Sequence, residues 1–162
     1  SELIDKIEYN KKDNRLLKYF ITKVEHGHKE IPDSKDIEIY GNDTVEHIMP
    51  QKPSRWGLEP EDIKKYIDEI GNIVLLGSSF NGKLDDFTFD DKCKAVEKAS
   101  NQRPLVKEVF IDKIWDFNKC FKKDFSPISD RSNHLAKIGY DIWVKQLINQ
   151  LQSIVNEKGK PN

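Results

Sequence analysis

Apolar residues recur every three to four positions over residues 13–25. Leu16, Leu17, Phe20, Ile21 and Val24 fall on one stripe between charged neighbours, which predicts an amphipathic helix. Gly27, inside His26-Gly27-His28, stops that helix, and Pro32 and Asp33 prolong a loop. The period then changes to two. Residues 36–40 (Asp-Ile-Glu-Ile-Tyr) alternate polar and apolar as a half-buried strand does, and Gly41-Asn42-Asp43 follows as a turn. Residues 44–48 form a second short β-like run, closed by Pro50. A polar loop from Gln51 to Gly57 leads to a helix over about 60–69, with Pro60 in its first turn and Gly71 at its end.

Ile73-Val74-Leu75-Leu76 is a compact apolar strand, and a short turn or helix follows around Asn81. Helical periods resume over Phe89 to Ala99 and over 104–117. The strongest amphipathic pattern covers 129–156, where Leu135, Ile138, Ile142, Trp143, Leu147, Leu151 and Ile154 share a face. This order predicts an α+β fold: a strand–loop–strand–helix core over about 36–95, with helical flanks at 13–26 and 104–156. The 162 residues are expected to form one domain. There is no internal repeat.

Composition adds three points. Aromatic side chains, including three tryptophans and eight phenylalanines, favour a packed interior over disorder, with Trp115 and Trp143 expected in the core. Cys93 and Cys120 stand far apart with no CxxC pair, so the simplest reading is two free thiols. His26 and His28 lack further ligands at suitable spacing for zinc. No signal peptide, long apolar run or lipidation motif is present, so a soluble cytoplasmic protein is expected, with no membrane partner. A start at Ser1 and a polar tail suggest a piece of a longer protein.

The net charge of −1 argues against a generic nucleic-acid binder, but charge is unevenly spread. Residues 43–91 hold eleven acidic and five basic side chains, a net of −6. Residues 92–123 hold nine basic and four acidic, a net of +5. That division suits a metal site beside a phosphate-binding face, although two ordinary solvated helix faces would look the same.

Three short pieces carry candidate chemistry: Glu46-His47-Ile48-Met49-Pro50-Gln51, Gly71-Asn72-Ile73-Val74-Leu75-Leu76, and Asn81-Gly82-Lys83. Each alone is a common surface or turn sequence. Together they fit phosphodiester hydrolysis, which needs a base for water and a cation for the phosphate and leaving oxyanion. Imidazole titrates near neutral pH, so His47 suits the base. Glu46 offers a hard oxygen ligand and Asn81 a neutral one, which with waters and phosphate oxygens makes a shell for Mg2+ or Mn2+. Neighbouring strand residues point to opposite faces, so Glu46 and His47 must sit where the strand turns. Asn72 need not touch metal. Its amide can tie the strand–loop–strand segment together and orient the imidazole. Lys83, Lys92 and Arg131 are candidate phosphate contacts, with salt bridges or solvated surface as the plain alternative. Arg131 could equally hold the last helix onto the core through a carboxylate.

These pieces resemble the HNH, or His-Me finger, pattern: an acidic residue and His followed by Ile-x-Pro, an Asn before a strand, and another Asn at the next helix. Thr44 to Gln51, Ile70 to Leu76, Asn81, Phe89 and Lys92 are similar to the C-terminal nuclease domain of GmrSD-type restriction proteins. Ser100, Leu105, Trp115, the run Ile128-x-x-Arg131-x-x-x-Leu135-Ala136, and Trp143 resemble its helical tail. The likeness runs from about residue 13 to 143. It implies a ββα-metal motif among helices and a metal-dependent DNA endonuclease of an anti-phage system. It also implies an N-terminal ParB-like nucleotide-hydrolysing domain as partner in the full-length protein. Matching motif positions would make His47 the general base, Asn81 and Glu46 metal ligands and Asn72 the middle Asn. Glu46 stands where the pattern more often has Asp. One metal and one base would cut one strand per site, so a double-strand break needs two domains or two visits, and an oligomer is possible. The rivals are a catalytically degenerate DNA-binding or interaction module and an RNA-directed nuclease.

Overall fold

The computed structural model describes residues 9, 13–27, 43–77, 80, 84, 87–99 and 103–158. Helix α1 (Arg15–His26) lays Leu17, Phe20, Ile21 and Val24 into the interior. Leu16, assigned to the same stripe from sequence, is instead 62 % exposed. Gly27 ends the helix at positive φ (58°), and its N–H returns to the Val24 carbonyl.

Strand β1 (Thr44–His47) pairs antiparallel with β2 (Ile73–Leu76), Thr44 opposite Leu76 and His47 opposite Ile73. The long link between them holds a 3₁₀ turn at Pro53–Trp56, the short helix α2 (Pro60–Ile63) and a second 3₁₀ turn at Ile70–Asn72. A capping box starts α2, with Glu59 and Asp62 each bonding the other's backbone N–H. The helix expected over 60–69 is therefore short, and turns carry the chain on to Asp68. After β2 come α3 (Phe89–Glu97), α4 (Pro104–Phe110), a 3₁₀ turn at Phe117–Lys122 and the long α5 (Ser126–Lys158). Thr88 caps α3 by accepting from the Asp91 N–H, and Asp90 and Asp91 face its positive end. The expected helix 104–117 stops at Phe110, and beyond it Lys113 takes a left-handed φ of 49°. The predicted strand 36–40 lies outside the described residues.

Mixed helix with a small two-stranded sheet makes this an α+β fold. Strand β2 explains its own apolar run. Ile73 and Leu75 pack with α1 residues, Leu105 and Leu135, whereas Val74 and Leu76 join Trp56, Phe89, Val109, Phe110 and Phe117 in a larger cluster. A strand buried on both faces reads as continuous hydrophobics rather than alternation. Trp56, read from sequence as a loop residue, is fully buried, stacks on Phe121 and donates from Nε1 to the Phe87 carbonyl. Trp143 packs on Phe20, and Trp115 is partly buried against the larger cluster. Cys93 and Cys120 are free and buried, and burial pushes their thiols up to about 11 and about 12.

The 3₁₀ turn before β2 presses against α5 more closely than any side chain would allow. A Cβ on Gly71 would overlap the Ile128 carbonyl oxygen and come within 2.5 Å of Ser132 Oγ. The glycine N–H donates to that same hydroxyl at 2.9 Å. Gly71 therefore serves a close approach, and does not end a helix as its sequence context suggests.

Candidate active site

His47 is the last residue of β1, and the backbone around it is held from three sides. From α3, the buried Lys92 donates from Nζ to the His47 carbonyl at 2.8 Å. From the turn before β2, the Asn72 carbonyl accepts from the Ile48 N–H at 2.8 Å. The fully buried Asn72 side chain adds three bonds. Its Oδ1 accepts from the Met49 N–H (2.8 Å), and its Nδ2 donates to the Met49 carbonyl (3.0 Å) and the Ile67 carbonyl (2.9 Å). An amide suits this place, because it accepts at one end and offers two N–H donors at the other.

The turn carrying Asn72 is fixed in turn by Arg131 of α5. Its Nη1 donates to the carbonyls of Gly71 (2.8 Å), Ile73 (2.9 Å) and Ile70 (3.3 Å). Burial pulls this guanidinium down to about 10, against the opposing pull of Glu108 and Glu25, so it remains a cation at neutral pH. Chain direction at His47 is thus set by bonds from α3, α5 and the second 3₁₀ turn, all elements remote in sequence.

Two contacts of the imidazole bear on its chemistry. His47 Nε2 lies 3.3 Å from Asp68 Oδ1, and the Tyr9 ring packs edge-on at 4.6 Å between centroids. The Tyr9 N–H donates to the Asp68 carbonyl at 3.0 Å, which joins the two neighbours. The His47 side chain is 10 % exposed and that of Asp68 is 45 % exposed, so the pair grades from interior to solvent. A carboxylate only accepts, so Nε2 carries the hydrogen in this contact. A cleft of about 440 Å3 adjoins the pair, with Tyr9, Gln51, Glu61, Lys64 and Asp68 in its walls.

Glu46 is partly buried in β1 and accepts from Thr44 Oγ1 at 3.4 Å. Pairing opposite Val74, it belongs to the other face of the sheet from His47, which pairs with Ile73. Asn81 and Lys83 lie outside the described residues. Lys92 and Arg131 are corrected from their expected place: both are buried, with their charges on backbone carbonyls, and a cation so placed cannot meet a phosphate without abandoning those bonds. Arg131 does hold the last helix to the core, but through carbonyls rather than a carboxylate. Asp68 and Tyr9 escaped sequence reasoning because nothing in their local sequence marks them; their partner is a long-range neighbour.

Among the described residues, no three His, Cys, Asp or Glu side chains gather as a metal cage. Mg2+ and Mn2+ do not need one, since they keep several waters and draw on substrate oxygens. The carboxylate of Glu46 is a hard oxygen donor of the kind such a hydrated ion takes, unlike the thiolate and imidazole ligands of structural zinc sites.

A small α+β domain built around a histidine held at a strand end is the class that fold and site define. Residues 1–138 match the family of GmrSD restriction endonucleases, C-terminal domain, and the chain belongs to that family. The family supports a restriction endonuclease role, with DNA as the consistent target. No curated protein and no solved structure matches the chain. Among the described residues, no helix is long and apolar enough to cross a membrane.

Proposed function

We propose that the chain is an HNH-type, divalent-metal-dependent DNA endonuclease domain that nicks one strand per active site, with His47 as general base. The observation that supports this reading best is the Asp68 carboxylate on His47 Nε2 at 3.3 Å. It orients the ring and would stabilise the imidazolium that forms when His47 takes a proton from water. Tyr9 limits rotation of the ring from its edge. Asn72, Lys92 and Arg131 act as positioning residues, through the backbone, by fixing where β1 ends.

Mg2+ or Mn2+, held by Asn81 and Glu46, would supply charge stabilisation for the phosphate and the departing oxyanion. Asn81 bears more of that assignment, because strand alternation sends Glu46 and His47 to opposite faces. Phosphate contacts fall to cations of the cleft such as Lys64, and to Lys83 in the Asn81 segment. An N-terminal ParB-like nucleotide-hydrolysing domain in the full-length protein would recruit DNA in an anti-phage system.

The test is conversion of supercoiled to nicked plasmid with Mg2+ or Mn2+. His47→Ala is expected to lower the rate by about 10²- to 10⁴-fold, the usual worth of a general base. Asp68→Asn should lower it less and shift its pH profile. If the wild type and His47→Ala bind DNA equally and neither cuts, the degenerate binding module replaces this reading. Preferential cutting of RNA in a mixed-substrate assay replaces DNA as the target.

A further inference from the structure

Helix α5 changes character along its length. Leu135 and Ile142 are buried, and Ile138 and Trp143 pack partly against the core, as the amphipathic pattern predicts. From Lys145 to Asn156 every residue is exposed, and a second apolar stripe runs there on the side of the helix turned away from Leu135 and Ile142. Tyr140, Val144, Leu147, Leu151 and Ile154 follow one another at steps of four, three, four and three, with Ile148 and Val155 widening the seam. Exposure of the large members from Tyr140 onward runs from 47 % at Ile148 to 68 % at Val155. Alternating three and four spacing is the pattern by which helices pair through a narrow seam.

We propose that this seam pairs with its counterpart in a second copy of the chain, forming a two-fold symmetric dimer. Charge supports that occupant. In a chain that is 34 % charged, residues 146–156 carry no charged side chain at all, so two identical faces meet without like-charge repulsion. A lipid surface is a poorer match, because such helices flank their apolar face with Lys and Arg. Area supports it as well. Half of a large apolar side chain is roughly 100 Å2, so six per copy offer roughly 600 Å2 and two copies roughly 1,200 Å2. That reaches the lower edge of specific interfaces, about 1,200 Å2. The consequence for cutting rests on the nuclease reading above, whereas the pairing does not. Two copies held together bring two single-strand cutting sites to one duplex.

Sedimentation equilibrium on the 162-residue chain tests the pairing. The wild type should be a dimer with a micromolar dissociation constant. Leu147→Gln/Leu151→Gln/Ile154→Gln should weaken it at least about tenfold with an unchanged circular dichroism spectrum. A second variant, Gln150→Lys/Gln152→Lys, leaves the apolar residues in place and flanks the seam with like charges. It should weaken the dimer most at low salt. A wild type still monomeric at about 100 µM, or a dimer indifferent to both variants, overturns the proposal. In the plasmid assay the triple variant should keep the nicking rate and lose linear product. Absence of nicks from the wild type and the variants alike, with a wild-type dimer that the variants weaken, would count against the nuclease reading and leave the pairing standing.

Discussion

Replacing Gly71 by alanine adds one methyl group where the second 3₁₀ turn meets α5. The new Cβ would overlap the Ile128 carbonyl and stand 2.5 Å from Ser132 Oγ and 2.8 Å from the Ser132 nitrogen. Two of these three atoms belong to the helix backbone, so no rotamer change relieves them. The turn must withdraw from α5 by an ångström or so. Overpacking of this kind costs about 1–3 kcal/mol. Withdrawal also loosens the Gly71 N–H to Ser132 bond, worth about 1 kcal/mol, and the Arg131 bonds to three carbonyls, worth more because the donor is charged. We expect a loss of roughly 4 kcal/mol, which in a domain of this size lowers Tm by about 10 °C or more. Urea unfolding followed by circular dichroism measures it. Gly57→Ala is the control. That glycine has a positive φ of 67° but nothing within 4 Å of a Cβ, so only backbone strain of about 1 kcal/mol is at stake. Equal effects of the two substitutions would refute the reasoning, because close approach would then contribute nothing beyond strain.

Arg131→Gln tests the correction made for that residue: it should cost about 3 kcal/mol in urea unfolding and leave the salt dependence of DNA binding unchanged, whereas a phosphate contact would lower the salt slope by about one. Glu25 offers a pH test. Its carboxylate is buried, 3.7 Å from Arg103 and near Asp43, which itself pairs with Arg103. Burial pushes it up to about 7 against the pull of Arg103, from an ordinary 4.5. The folded state therefore binds the proton more tightly than the unfolded chain, and stability should fall as pH rises from about 4.5 to 7, by up to about 3 kcal/mol. Glu25→Gln should flatten that decline and raise Tm at pH 8; a pH profile identical to that of the wild type would contradict it.

Much of the architecture could be read from residue patterns. The stripe of α1, the Gly27 stop, the strand at 73–76 and the long last helix follow from periodicity and local turn chemistry. Asn72 as a tie across the loop was also legible, from its place among the three pieces taken together and not from its local sequence. What escaped was long-range. Lys92 and Arg131 carry the sequence signature of surface cations, and only packing reveals that their charges meet carbonyls inside the protein. Asp68 looked like one acid among many in a net-negative stretch, and Trp56 like a loop aromatic. The last helix shows the converse failure. The residues assigned to one face divide in two: Leu135 and Ile142 are buried, whereas Leu147, Leu151 and Ile154 lie exposed on the other side of the helix.

Strand β2 has a consequence of its own. Its four side chains are a party wall between two apolar compartments, each of which leans on it. Neither compartment can melt and leave the other sealed, so heat or denaturant should dismantle both in one step. A cut anywhere in that wall would open the whole building rather than one room.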